Sequence, residues 1–191
     1  MSKEFYEIFQ YTFPYNIEKE DVNKYLDQFK SFQYSQLTRI GENFEDIKQG
    51  DIFNNIPSSR IVLNDKKDGI IAETKLFSAM LISNSCDATR RKNVLFAPIL
   101  DLNNISDSNT IKTIKSNKKA SAIYIGDDNF RDKYIALDSI FSVELKTFTK
   151  LIEKNASTKI KELNQYGYYL LLAKLAHFLV RPESEEVKRY D

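Results

Sequence analysis

The chain has 191 residues, 42% of them hydrophobic and 13% aromatic, which is enough apolar surface for one packed domain and excludes a disordered chain despite 29% charged residues. The formal net charge of +1 provides no global field toward nucleic acid or a membrane, so any such binding must come from a local patch. A lone cysteine, Cys86, excludes an intramolecular disulfide and suits a reducing compartment.

No leader-like apolar run stands near Met1. The most apolar stretch, residues 166–180, is interrupted by Lys174 and His177 and is too short for a bilayer. A cytoplasmic, non-membrane protein is expected.

Residues 1–48 read as an N-terminal helical extension. Val22, Tyr25, Leu26 and Phe29 recur at helical spacing, and a second helical stretch with Tyr34, Leu37 and Ile40 is expected to stop near Gly41. From Gly50 the period changes. Asp51, Ile52 and Phe53 open a strand, and residues 54–57 read as a turn. Residues 60–63 and 70–72 flank a polar loop and read as a hairpin.

Residues 77–83 and 94–99 are continuous apolar runs, the pattern of central strands covered on both faces. Residues 110–119 are lysine-rich and suit a short helix or loop. Residues 122–125, 134–137 and 140–145 supply further strands around a turn at 126–129. Ser157 is placed to cap a long final helix with Ile160, Leu171, Leu172, Leu175, Phe178 and Leu179 on its core face, ended by Arg181-Pro182. The expected fold class is α+β: a β-barrel core over 49–150, the N-terminal arm, and a C-terminal helix over 151–191 packed on the barrel.

Three segments carry a family resemblance: Gly50-Asp51-Ile52-Phe53, then Ala79-Met80-Leu81-Ile82-Ser83-Asn84, then Val94-Leu95-Phe96-Ala97-Pro98-Ile99. Their order and spacing resemble the MazF/PemK family of SH3-like barrels, the ribonuclease toxins of bacterial toxin–antitoxin pairs. The resemblance implies a small SH3-like barrel and a toxin–antitoxin, phage or defence setting, with an antitoxin-like protein or nucleic acid as partner. The family's catalytic arginine opens the second segment in an Arg-Pro pair, and its catalytic threonine follows the proline of the third. Here those positions hold Phe77-Ser78 and Leu100. Neither Phe77 nor Leu100 can stabilise a charged phosphorane, so the family's usual chemistry is absent or moved.

Residues 83–92 join two central strands and combine hydroxyls, a thiol, an acid and three consecutive cations. Arg90, Arg91 and Lys92 are candidates for holding phosphates, with Tyr124 or Phe130 as a stacking surface. The plainer reading is a solvated loop in which Asn84 and Asp87 bond their own backbone. Lys112, Lys115 and Lys119, with Lys118, form a second basic stretch, either a phosphate ridge or a solvated face.

Cys86 and His177 are candidates for a nucleophilic dyad, against a small-hydrophobe role for Cys86 and a core role for His177. Asp87 is an alternative acid. One cysteine and one histidine do not make a zinc site, an acid site from Asp51, Asp87 and Asp101 is not demanded by spacing, and no cofactor-binding motif is present.

Three functions follow in order of expectation. The first is a non-catalytic binding module for nucleic acid or a partner protein. The second is an endoribonuclease with catalysis relocated to Arg90, Arg91 and Asp87. The third is a structural protein whose helical arms make a homodimer.

Overall fold

The computed structural model describes residues 37–39, 46–64, 69–127 and 130–179. Among them the order is β1 (Thr38–Arg39), β2 (Ile52–Asn64), β3 (Gly69–Leu81), β4 (Asn93–Asp101), α1 (Ser108–Lys115), β5 (Ala122–Ile123), β6 (Lys133–Ala136), β7 (Phe141–Glu144), α2 (Leu145–Glu153), β8 (Lys159–Leu163) and α3 (Gln165–Leu179). Every strand pairing is antiparallel. The fold class is α+β, with no helix among the described residues long and apolar enough to cross a membrane.

Neighbouring strands run β1-β8-β2-β3-β4-β6-β5, and β7 also lies beside β4. That path does not return to β1, so among the described residues the sheet is open. β4 is its pivot: Ala97 and its neighbours pair with β3, Asn93 to Phe96 pair with β7, and Ile99 to Asp101 pair with β6. β1 and β8 lie outside residues 49–150 in sequence yet join the same sheet as β2.

The continuous apolar runs are explained by a core on each face. Successive strand residues point to opposite sides, so Ile52, Met80, Ala97 and Ile99 face one cluster, closed by Leu171 and Leu175 of α3. Phe53, Ala79, Leu81, Val94 and Phe96 face the other, closed by Phe148 of α2. The Phe148 ring meets Phe53 at 5.0 Å and Phe96 at 5.1 Å between centroids, both edge-to-face. That geometry adds roughly 1 kcal/mol per pair beyond burial.

Several expected elements differ. Residues 54–57 are not a turn but lie within β2, where the register shifts between Phe53 and Ile56 and Asn55 takes a φ of 53°. This is a bulge inside one long strand, and Asn tolerates the left-handed backbone it needs. Thr38 and Arg39 form a strand rather than continuing a helix. The strand expected over 140–145 spans only Phe141–Glu144, and Leu145 begins α2. Ser157 caps nothing: its hydroxyl donates to the Asn54 carbonyl at 2.7 Å, and the next element is β8, so Ile160 lies on a strand. Leu179 is exposed rather than on the core face. Val22, Tyr25, Leu26, Phe29, Tyr34, Ile40, Gly41, Arg181 and Pro182 lie outside the described residues.

Candidate anion-binding groove and a buried ion network

Residues 83–92 are tied into the fold at both ends. The Ser83 hydroxyl accepts the Leu95 amide at 2.8 Å, and the Ser85 hydroxyl accepts the Gln49 amide at 2.9 Å. Between them Asn84 Oδ1 takes the Cys86 amide, and a short 3-10 turn over Asp87–Thr89 drops Ala88 into the core. Asn84 thus bonds its local backbone as expected, whereas the Asp87 carboxylate takes the Arg91 guanidinium at 3.1 Å instead. At the far end the Lys92 carbonyl accepts the Leu145 amide at 2.8 Å, which fixes the start of α2 beside the basic run.

That junction creates a groove of about 480 Å³. Arg91 and Lys92 line one side, and Lys146, Thr149, Lys150 and Glu153 of α2 line the other, with Glu144 at the rim. The α2 residues face the groove together because positions three and four apart share a helix face, while Phe148 on the opposite face anchors the helix. Four cations therefore stand against two carboxylates around one opening. Arg90 is exposed but does not line it.

The second basic stretch lies elsewhere. α1 follows the Asp101 end of β4 and the groove adjoins the Asn93 end, about 26 Å apart at 3.3 Å per residue. Asp107 caps α1 through the Asn109 and Thr110 amides. Lys112 is exposed, Lys115 pairs with Asp132 at 3.6 Å, and the Lys119 carbonyl accepts the buried Lys174 ammonium. Nor do the two aromatics serve as a platform. Phe130 is buried beneath Lys161, and the Tyr124 hydroxyl donates to the Arg131 carbonyl at 2.7 Å.

The Cys86–His177 dyad does not assemble. Both residues are exposed, His177 on the last turn of α3 rather than in the core, and no hydrogen bond joins them. The cysteine's amide and carbonyl are engaged locally by Asn84 and Thr89. The three aspartates are also apart in function. Asp51 is buried, Asp87 holds Arg91, and Asp101 accepts the Asn103 amide. Among the described residues no three His, Cys, Asp or Glu side chains converge as a metal site. Phe77 is half-buried with its ring 6.2 Å from Phe141, and Leu100 pairs across to Tyr134.

A separate cluster of charges lies inside the sheet. Lys159 of β8 sits between Asp51 and Glu162, each at 3.0 Å, and Arg39 of β1 reaches Glu162 from the surface. Burial pushes the Asp51 carboxyl above its ordinary range, more than the Lys48 amide and Lys159 pull it down. For Glu162 burial also pushes up, but Lys159 and Arg39 together outweigh it and hold the carboxyl low. Arg39, Gln49, Ser85, Glu162 and Tyr168 border a cavity of about 260 Å³ over this network. The Gln49 side chain on its wall is already engaged at both ends: Nε2 donates to the Ile82 carbonyl, and the Tyr168 hydroxyl donates to Oε1.

Lys146 and Lys150 follow the strand expected over 140–145, in a stretch for which no element is expected, and they belong instead to α2. The spacing of Leu145, Phe148 and Ile152 was the available signal for a helix. A scan against protein-family models matches no family, and a search of curated proteins finds no relative.

Proposed function

We propose that this protein is a non-catalytic binding module that holds the phosphate backbone of nucleic acid in the groove between residues 91–92 and α2. Four cations from two separate chain segments converge there, and this carries the reading. Arg forks onto phosphate oxygens while Lys acts as a point charge, and release of counterions supplies the affinity. The groove is walled by Leu145 and Thr149 with no aromatic among its lining residues, which favours backbone contact over base stacking. Recognition is then indifferent to base sequence. On this reading the strands around Gly50, Ala79 and Val94 belong to a divergent, open version of the MazF/PemK-like sheet that keeps a binding surface without the family's nuclease chemistry.

The test is anisotropy titration of a labelled single-stranded RNA across salt concentrations. Binding should weaken with salt at a log–log slope of about −3, near the −0.7 per phosphate contact of single strands. Lys146→Glu with Lys150→Glu should abolish most of it. Binding that ignores both salt and this double variant would refute the reading, and cleavage of the RNA by the wild type would replace it with the nuclease one.

A further inference from the structure

The β2–β3 hairpin extends well past the sheet that anchors it. β2 pairs with β8 only at Ile52 and Phe53, and β3 pairs with β4 only from Ala79 to Leu81. Beyond those contacts eight consecutive rungs, from Pro57–Leu76 to Asn64–Gly69, are paired only to each other. A two-stranded ribbon is marginal by itself in water.

Its two faces differ in chemistry, because residues opposite one another share a face and successive rungs alternate. One face carries Ser58 with Lys75, Arg60 with Glu73, and Val62 with Ile71. Arg60 and Glu73 are bonded there at 2.9 Å. The other face carries Pro57 with Leu76, Ser59 with Thr74, Ile61 with Ala72, and Ile70, and it has no charge. Ile61, Ile70 and Leu76 on that face are 76%, 72% and 64% exposed.

We propose that the uncharged ribbon face pairs with the same face of a second copy of this chain. An uncharged face excludes a partner that docks through ion pairs, and the same face of another copy brings no charge against the rungs from Ser59–Thr74 to Ile70. The pattern is also self-complementary in size. A two-fold axis across the Ile61–Ala72 rung lays Ile70 of one copy over Thr74 of the other, and reciprocally, so large meets small at both ends. The same axis reverses one arm relative to the other, which puts the two bodies at opposite ends where they do not collide. Such an isologous contact closes after two copies.

The size of the patch sets its strength. At about 3.3 Å per rung and about 4.8 Å between strands, the face covers a few hundred Å². That is below the roughly 800 Å² per partner of a standard interface, so the association is reversible and concentration-dependent.

Sedimentation velocity on the full chain from about 1 µM to about 1 mM, a span chosen for an interface below standard size, is the test. The wild type should pass from monomer toward dimer over this range. Ile61→Lys with Ile70→Lys should stay monomeric, and Ile61→Thr with Ile70→Thr, which keeps β-branched side chains in the strands, should shift the transition at least tenfold upward in concentration. Arg60→Ala with Glu73→Ala, on the reverse face, should dimerise as the wild type does. A wild type that is monomeric throughout overturns the proposal, as does a threonine variant that dimerises at wild-type concentrations. Nucleic acid binding enters neither arm, so the result is independent of the groove.

Discussion

Lys159 Nζ lies 3.0 Å from Asp51 Oδ2, and the two side chains are 3% and 1% exposed. The ammonium is the hinge of the arrangement because Glu162 lies on its other side. Removing one partner of a buried ion group leaves uncompensated charge, which costs about 3–5 kcal/mol. Lys159→Met should therefore cost that much in urea unfolding. Asp51→Asn should cost only about 1–3 kcal/mol, since burial already disfavours its charged form and the amide oxygen still accepts the Lys48 amide. Equal losses for the two variants would show that Lys159 does not serve both carboxylates.

Lys174 on α3 is buried without a carboxylate among its bonded partners, its ammonium donating to the Asn117 and Lys119 carbonyls at 2.6 Å each. Burial pushes its pKa from an ordinary 10.5 down to about 8. The unfolded chain thus holds this proton more tightly than the folded one between pH 8 and 10.5. Stability from this group must rise with pH across that window, and its charging penalty is fully present below pH 8. The whole effect is roughly 3 kcal/mol. The wild-type minus Lys174→Met difference in unfolding free energy should grow in the wild type's favour from pH 7.5 to pH 10. A difference that stays flat over this range would mean the lysine titrates normally.

These two lysines show which parts of the fold the sequence revealed. Runs such as Leu81 and Phe96 were legible because both sheet faces are covered, leaving no polar residue to break the pattern. β8 was not, because Lys159, Lys161 and Glu162 look like solvated charges, and nothing local reveals that Asp51 and Asp127 await them across the sheet. The α+β class needed only the change in hydrophobic period. The groove needed more. Arg91 and Lys92 were visible as a basic run, but Lys146 and Lys150 join them through a carbonyl–amide contact between Lys92 and Leu145, a relation that spacing cannot express.

Gly167 near the start of α3 lies against the backbone of the short β1 region. A Cβ there would stand 2.3 Å from the Leu37 carbonyl oxygen and 2.9 Å from Leu163 Cδ2. The oxygen belongs to the backbone and accepts the Asn164 amide, so it cannot swing aside. Gly167→Ala should therefore lose roughly 2 kcal/mol or more, although alanine favours a helix interior by about 1 kcal/mol over glycine. Thermal unfolding decides: a higher melting temperature would mean that propensity outweighs the clash.

Groove residues should respond unequally to substitution because Arg91 is already engaged. Asp87 holds its guanidinium at 3.1 Å, in competition with any phosphate. Asp87→Asn should release Arg91 and tighten RNA binding about two- to fivefold, in keeping with the sub-kilocalorie worth of an exposed pair. Lys150→Glu reverses a charge that faces the opening and should weaken binding at least tenfold and flatten the salt slope. Lys112→Glu with Lys115→Glu should leave affinity within about twofold, since neither lysine lines the groove and α1 follows the opposite end of β4, while exposed charges are screened over ~8 Å at physiological salt. Anisotropy on the three variants separates a local site from diffuse charge. If the α1 variant weakens binding as much as Lys150→Glu does, the RNA is held by the overall distribution of lysines and the groove has no special role.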